Sequence, residues 1–166
     1  MASASLIQKK RFHNEELMMK TEPLGYATAY SDKENPLIWY ALFKGQKGSD
    51  YLGGEYILKI HHSPKYPAEP PSYYMLTPSG RFEVDKEICL TNSRYHKGEW
   101  TSTWNIKTIL IAFYSIFLDD IEHGISHIKD TKENRLKMAT DSIDYNKKNR
   151  KDIYEKFNFE QIKIFD

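Results

Sequence analysis

Residues 66–90 read YPAEPPSYYMLTPSGRFEVDKEICL. Together with Pro64, the prolines Pro67, Pro70 and Pro71 disfavour regular structure through the first part of this run, because each fixes φ and lacks an amide donor. Tyr73 to Leu76 then offers one short strand. Behind it begins a long irregular stretch, Thr77 to Thr103, that carries Phe82, Val84, Ile88, Leu90 and Trp100. Residues of buried type in so long a loop predict an ordered, functional segment rather than a disordered one. That segment also holds Cys89, the only cysteine.

Upstream, Tyr26 to Tyr30, Leu37 to Phe43 and Glu55 to Ile60 are rich in β-branched and aromatic residues and are separated by turn formers such as Asn35-Pro36 and Gly53-Gly54. They predict three sequential strands of an antiparallel meander, to which Tyr73 to Leu76 adds a fourth. Ser5 or Ser3 can cap a helix running to about Lys20, stopped by Pro23 and Gly25. Its amphipathicity is imperfect, since Phe12 and Met19 share a face with Glu16. Downstream, Trp104 to Leu118 reads as a helix apolar nearly all round, hence central and buried. Two more helices are expected, at Lys132 to Asn146 with Leu136, Ala139 and Ile143 on one face, and near Asp152 to Ile164. The order is helix, strands, loop, helices: an α+β class, read as one domain over residues 1–166.

With 166 residues, 40% hydrophobic and 28% charged, the chain has the composition of a globular protein,. Its 24 basic and 23 acidic side chains nearly cancel, so the general positive field that nonspecific nucleic-acid binding requires is missing. A single cysteine cannot close an intramolecular disulfide, and no apolar run follows Met1 to Ser5 as in a signal peptide. The cytoplasm or nucleus is the expected location. The longest apolar stretch, Ile106 to Leu118, is interrupted by Lys107, Thr108 and Ser115 and is shorter than the roughly 20 residues of a membrane span.

A lone thiol serves either as a small buried hydrophobe or as a nucleophile. His96, a short way after Cys89, can act as a base near neutrality or simply hold the loop together. His61-His62 would point to opposite faces of a continuing strand, and His123 with His127 straddles Gly124 and has no obvious third ligand, so no metal site is expected. No glycine-rich phosphate loop is present, so no nucleotide cofactor is expected.

The succession Tyr66-Pro67-Ala68-Glu69-Pro70-Pro71, Thr77-Pro78-Ser79-Gly80-Arg81-Phe82, Ile88-Cys89-Leu90 and Trp100 before an apolar helix resembles the ubiquitin-conjugating enzyme family. More narrowly it resembles the J-type branch, whose founding members work in endoplasmic-reticulum protein degradation and carry a C-terminal membrane anchor. Lys10-Arg11-Phe12, Gly53-Gly54-Glu55-Tyr56, Tyr95-His96 and Asp141-Ser142-Ile143-Asp144-Tyr145-Asn146 extend the likeness over nearly the whole chain. The resemblance implies that family's fold. It also implies ubiquitin or a ubiquitin-like protein carried as a thioester on Cys89, with an activating enzyme, a ubiquitin ligase and a protein substrate as partners. The alternative is a non-catalytic, ubiquitin-holding variant of the same fold; Cys89 in the matching place argues against it. A thiol hydrolase would also use a cysteine and a histidine, but the proline-rich loop and strand order do not resemble the papain-like families.

Several positions depart from the family. Arg81 stands where most members place the asparagine of His-Pro-Asn, and the asparagine of the J-type T-P-N-G-R-F is here Ser79. Ser79, Asn92 and nearby backbone N–H groups are therefore the candidate donors to the oxyanion of transfer, and Ser79 and Asn92 can equally well be turn formers. Asp119 and Asp120 follow the apolar helix, where many members keep a residue that orients the incoming lysine; otherwise they are a solvated helix end, opposing its dipole slightly. Ala68 and Ser102-Thr103 replace residues that commonly contact ligases. The chain ends at Asp166 without an apolar tail, so no membrane anchor is expected in it.

Overall fold

The computed structural model describes residues 4–90, 99–119 and 124–163. Helix α1 (Leu6–Thr21) leads into four strands, β1 (Ala27–Ser31), β2 (Ile38–Lys44), β3 (Glu55–His61) and β4 (Ser72–Met75). Helices α2 (Ile106–Asp119), α3 (Lys132–Asn149) and the short α4 (Lys151–Tyr154) follow, then a 3-10 turn at Phe159–Gln161. The strands pair antiparallel in sequence order, β1-β2-β3-β4. This is the expected meander, and the α+β arrangement holds.

Ser5 caps α1 as expected. Its hydroxyl accepts from the Gln8 amide at 3.2 Å, while Gln8 Oε1 accepts from the Ser5 amide at 2.8 Å, closing a reciprocal capping box. The same Gln8 side chain donates to the Pro64 and Tyr66 carbonyls at 2.6 and 2.9 Å. One residue thus starts the helix and holds the proline-rich loop against it. The imperfect apolar stripe is resolved by hydrogen bonding: Phe12 and Met19 are buried, and Glu16 accepts from the Ser31 amide and hydroxyl at 3.0 and 2.9 Å.

Side chains alternate across the sheet with period two. Trp39, Ala41, Phe43, Tyr56, Leu58, Ile60, Tyr73 and Met75 join the larger core, which α1 and α2 complete. Leu42, Ile57 and Leu76 belong to a second cluster on the other side, closed by Tyr154 and Phe157. Covering on both sides explains why β2 and β3 read as almost unbroken apolar runs.

Three expectations need correction. Helix α2 is not buried all round: Thr108, Ile111 and Ser115 are exposed, and Ile111 keeps 46% of its surface. It covers one face of the sheet, so one stripe must meet solvent. The buried face of α3 is Arg135, Ala139, Ser142 and Asn146, with Leu136 and Ile143 at its margin. The polar members are buried because they finish backbone groups: Ser142 Oγ accepts from the Glu55 amide at 2.9 Å and Asn146 Nδ2 donates to the Glu55 carbonyl at 2.9 Å. Finally, no single helix spans 152–164. After α4 the chain turns, Asn158 caps the 3-10 turn by accepting from the Glu160 amide at 3.1 Å, and Ile162 bridges to Gly25.

Glu15 joins three segments. It is buried, accepts from the Tyr66 hydroxyl and the Ile106 amide, both at 2.6 Å, and lies 3.5 Å from Arg11 Nε. A carboxylate from α1 therefore meets the positive end of α2. Burial pushes its pKa above the ordinary 4.5, against the opposing pull of Tyr66, the Ile106 amide and Arg11. From pH 4.5 upward the native state thus holds this proton more tightly than the unfolded chain does, and the protonated carboxyl's full contribution to stability is present below that pH. It is lost as pH rises through the raised folded value. Melting temperature compared with Glu15→Gln should therefore fall over that window; parallel curves for the two proteins would show that Glu15 does not titrate there.

Candidate functional site

The segment after β4 turns at Gly80 and Asp85 and is held by bridges Met75↔Val84, Tyr74↔Glu87 and Phe82↔His127. Gly80 opens it at φ +77°, and a Cβ there would stand 2.7 Å from Arg135 Cγ; only glycine satisfies both conditions. Ser79 is fully buried, and its hydroxyl accepts from the Arg81 and Phe82 amides at 3.1 and 3.4 Å. The contacts seen for it are those of a turn former.

Ile88 and Leu90 are completely buried, whereas Cys89 between them is partly exposed. The two apolar side chains belong to the larger core, while Cys89 keeps part of its surface. The Ile88 amide donates to the Tyr73 carbonyl at 2.9 Å, and the Cys89 amide to the Ile125 carbonyl at 3.2 Å. The Cys89 carbonyl lies 2.9 Å from His127 Nε2, and His127 Nδ1 lies 3.0 Å from an Arg81 guanidinium nitrogen. A Cβ built on Gly124 would stand 3.6 Å from the sulfur, in ordinary contact.

Of the residues expected at the site, Cys89 and Ser79 lie in this one segment, and Asp119 is the exposed last residue of α2. His96, Asn92 and Asp120 lie outside the described residues, as does His123. Gly124, Ile125 and His127 escaped the sequence reading as neighbours of Cys89. A glycine and a backbone carbonyl carry no chemical signature, and His127 was weighed only as half of a metal pair. His62, of the other histidine pair so considered, is enclosed between the rings of Phe12 and Tyr66 at 5.4 and 4.0 Å. Burial pushes its pKa down to about 3, so it is neutral. Among the described residues, no group of three His, Cys, Asp or Glu is placed to hold a metal ion.

The chain beyond the cysteine is fastened from two sides. Trp100 Nε1 donates to the Pro67 carbonyl at 2.9 Å and its ring stacks on Trp104 at 5.6 Å. Arg11 donates to the Ser102 and Trp104 carbonyls at 3.0 and 2.8 Å. Ala68, Ser102 and Thr103 are exposed around this junction. No helix among the described residues is long and apolar enough to cross a membrane.

The family model "Ubiquitin-conjugating enzyme" matches residues 10–152. A Dictyostelium discoideum ubiquitin-conjugating enzyme E2 J2-like protein is 39% identical over 70% of this chain and 68% of its own length. The Homo sapiens ubiquitin-conjugating enzyme E2 J1 is 35% identical over 82% of this chain, which spans only 42% of that protein. Among solved structures, human ubiquitin-conjugating enzyme E2 G1 superposes with a TM-score of 0.57 over 65% of this chain and 92% of its own, a likeness of fold at 19% identity.

Proposed function

This chain belongs to the ubiquitin-conjugating enzyme family and is related to its J-type branch, and we propose that Cys89 is the acyl carrier through which it works. An activating enzyme presents ubiquitin or a ubiquitin-like protein as a thioester. The Cys89 thiolate adds to that carbonyl, the tetrahedral oxyanion collapses, and the activating enzyme's thiolate leaves and takes up a proton. An acceptor amine or hydroxyl of a protein substrate then attacks the new thioester, its proton passes to a base or to water, and the Cys89 thiolate departs. A ubiquitin ligase would bring acceptor and carrier together. The observation that carries this reading is the placement of the only cysteine: partly exposed, between two fully buried neighbours, with its amide and its carbonyl both engaged. Incubation with activating enzyme, ATP and ubiquitin, read on a nonreducing gel, should give one heavier band that disappears with thiol. Its absence would favour the non-catalytic, ubiquitin-holding alternative.

Gly124 bears on the second step. Its φ is one that other residues adopt, and an alanine Cβ would merely touch the cysteine. A longer side chain would extend over the face that an acceptor must approach. Gly124→Ala should discharge preformed thioester to free lysine within about twofold of wild type, and Gly124→Leu about tenfold more slowly, a barrier increase of ~1.4 kcal/mol. Wild-type discharge rates in Gly124→Leu would show that the acceptor arrives from elsewhere.

A further inference from the structure

Arg81 is completely buried, yet it is a cation, and its partners give it direction. A guanidinium has donors only and keeps its charge at any working pH. The Arg81 Nη1 atom 3.0 Å from His127 Nδ1 must therefore be the donor, and Nδ1 the acceptor. A neutral imidazole with a bare Nδ1 carries its proton on Nε2. That nitrogen faces the Cys89 carbonyl oxygen at 2.9 Å, which can only accept. Both ends of the ring thus require the same tautomer, and the hydrogen bonds run in one sense, from Arg81 through His127 to Cys89.

The chain is fixed at its origin as well. Arg81 Nη2 donates to the Ile116 carbonyl in the last turn of α2 at 3.1 Å, where the helix dipole favours a cation. Its guanidinium carbon lies 4.5 Å from the Phe82 ring centre, and the His127 ring meets Phe82 edge-on at 4.9 Å. Around it, the Ile128 amide donates to the Arg81 carbonyl at 2.8 Å and the His127 amide to the Gly124 carbonyl at 3.1 Å.

We propose that Arg81 and His127 are positioning residues that clamp the Cys89 peptide for acyl transfer. The Cys89 amide is already held by Ile125; the imidazole holds the carbonyl, so both polar groups of the residue's backbone are fixed. Displacement of a reacting group by about 1 Å can cost on the order of 10²-fold in rate, which is the scale on which such a clamp acts. It places the arginine of the Thr77-to-Phe82 turn behind the nucleophile, acting through the histidine. The inference rests on Cys89 being the carrier.

The test compares His127→Leu, which fills much of the ring's volume without donor or acceptor, with His127→Gln. The glutamine Oε1 can accept from Arg81 while its Nε2 donates to Cys89, keeping the same sense of hydrogen bonding. His127→Leu should slow both loading and discharge to free lysine by about 10- to 100-fold, with the half-saturating concentration of activating enzyme unchanged, and His127→Gln should recover most of the rate. Amide exchange at Cys89, followed by NMR, should accelerate in His127→Leu and return toward wild type in His127→Gln. Wild-type rates and exchange in His127→Leu would overturn the clamp, as would a His127→Gln protein that melts like wild type but is no faster than His127→Leu. If wild type itself cannot be loaded by a charged activating enzyme, the carrier reading has failed, and the exchange comparison still decides whether the clamp exists. Should His127→Leu not fold, the wild-type and His127→Gln exchange rates decide: protection at Cys89 lost in a folded glutamine variant contradicts the proposal.

Discussion

Truncating Phe117 to alanine is expected to lower the free energy of unfolding by about 3–5 kcal/mol, the usual range for a phenylalanine removed from a closed core. The side chain is completely buried in the last turns of α2, with ring centres of Phe43, Tyr51, Tyr56 and Phe82 at 4.9, 4.2, 5.2 and 6.2 Å. Those neighbours come from β2, the turn before β3, β3 itself and the segment leading to Cys89, so no single element can shift to fill the space. Against a total stability of roughly 5–15 kcal/mol for a domain, the loss is large enough to leave part of the chain unfolded at physiological temperature. Ile111, six residues earlier on the same helix, is 46% exposed, and its replacement by alanine should cost about 0.5 kcal/mol or less. Urea melts of the two variants measure the contrast. Equal losses would mean that α2 is buried all round, as its composition suggests, rather than one-sided, as its packing shows.

That contrast marks what the residues disclose on their own. The four strands were legible because runs rich in β-branched and aromatic residues are bounded by Pro36, Gly53-Gly54 and the proline-rich run, and α1 because Ser5 offers a cap and Pro23 and Gly25 a stop. Helix α3 was placed along the chain, but its buried face was misjudged. Ser142 and Asn146 look like solvent-facing residues until Glu55, 87 and 91 positions away, supplies the backbone groups they complete. The end of the chain was read as one helix because Ile153, Phe157 and Ile164 have a helical spacing; the bridge from Ile162 to Gly25 is tertiary, and together with the local Asn158 cap it breaks the helix. At the site, Cys89 was conspicuous by being single and by its setting. Gly124 and His127 lie 35 and 38 positions further on, and nothing local ties them to the thiol. Ser79 carries two readings, turn former and oxyanion donor, and its hydroxyl accepts from the Arg81 and Phe82 amides.

Replacing Cys89 by alanine is expected to abolish loading completely, because no other sulfur nucleophile of this kind exists in the chain. The substitution should leave the fold in place: the thiol is partly exposed, and changes at such positions usually shift stability by about 0.5 kcal/mol or less. Loss of loading with an unchanged melt would therefore be chemical rather than structural. Cys89→Ser separates the two halves of the reaction. Its hydroxyl can replace the thiol as a point of attachment but forms an oxyester, so it should either retain a modifier that resists thiol or carry none. An undiminished thiol-sensitive conjugate on Cys89→Ala would remove Cys89 from the mechanism.

The most direct measurement is the intact mass of the wild-type chain after incubation with activating enzyme, ATP and ubiquitin, followed by peptide mapping under acidic, thiol-free conditions. The expected product is heavier by one ubiquitin less one water, reverts to the starting mass on addition of thiol, and maps to the peptide containing Cys89. An unchanged mass while the activating enzyme is itself charged, or an adduct that survives thiol and maps to another residue, would contradict the account.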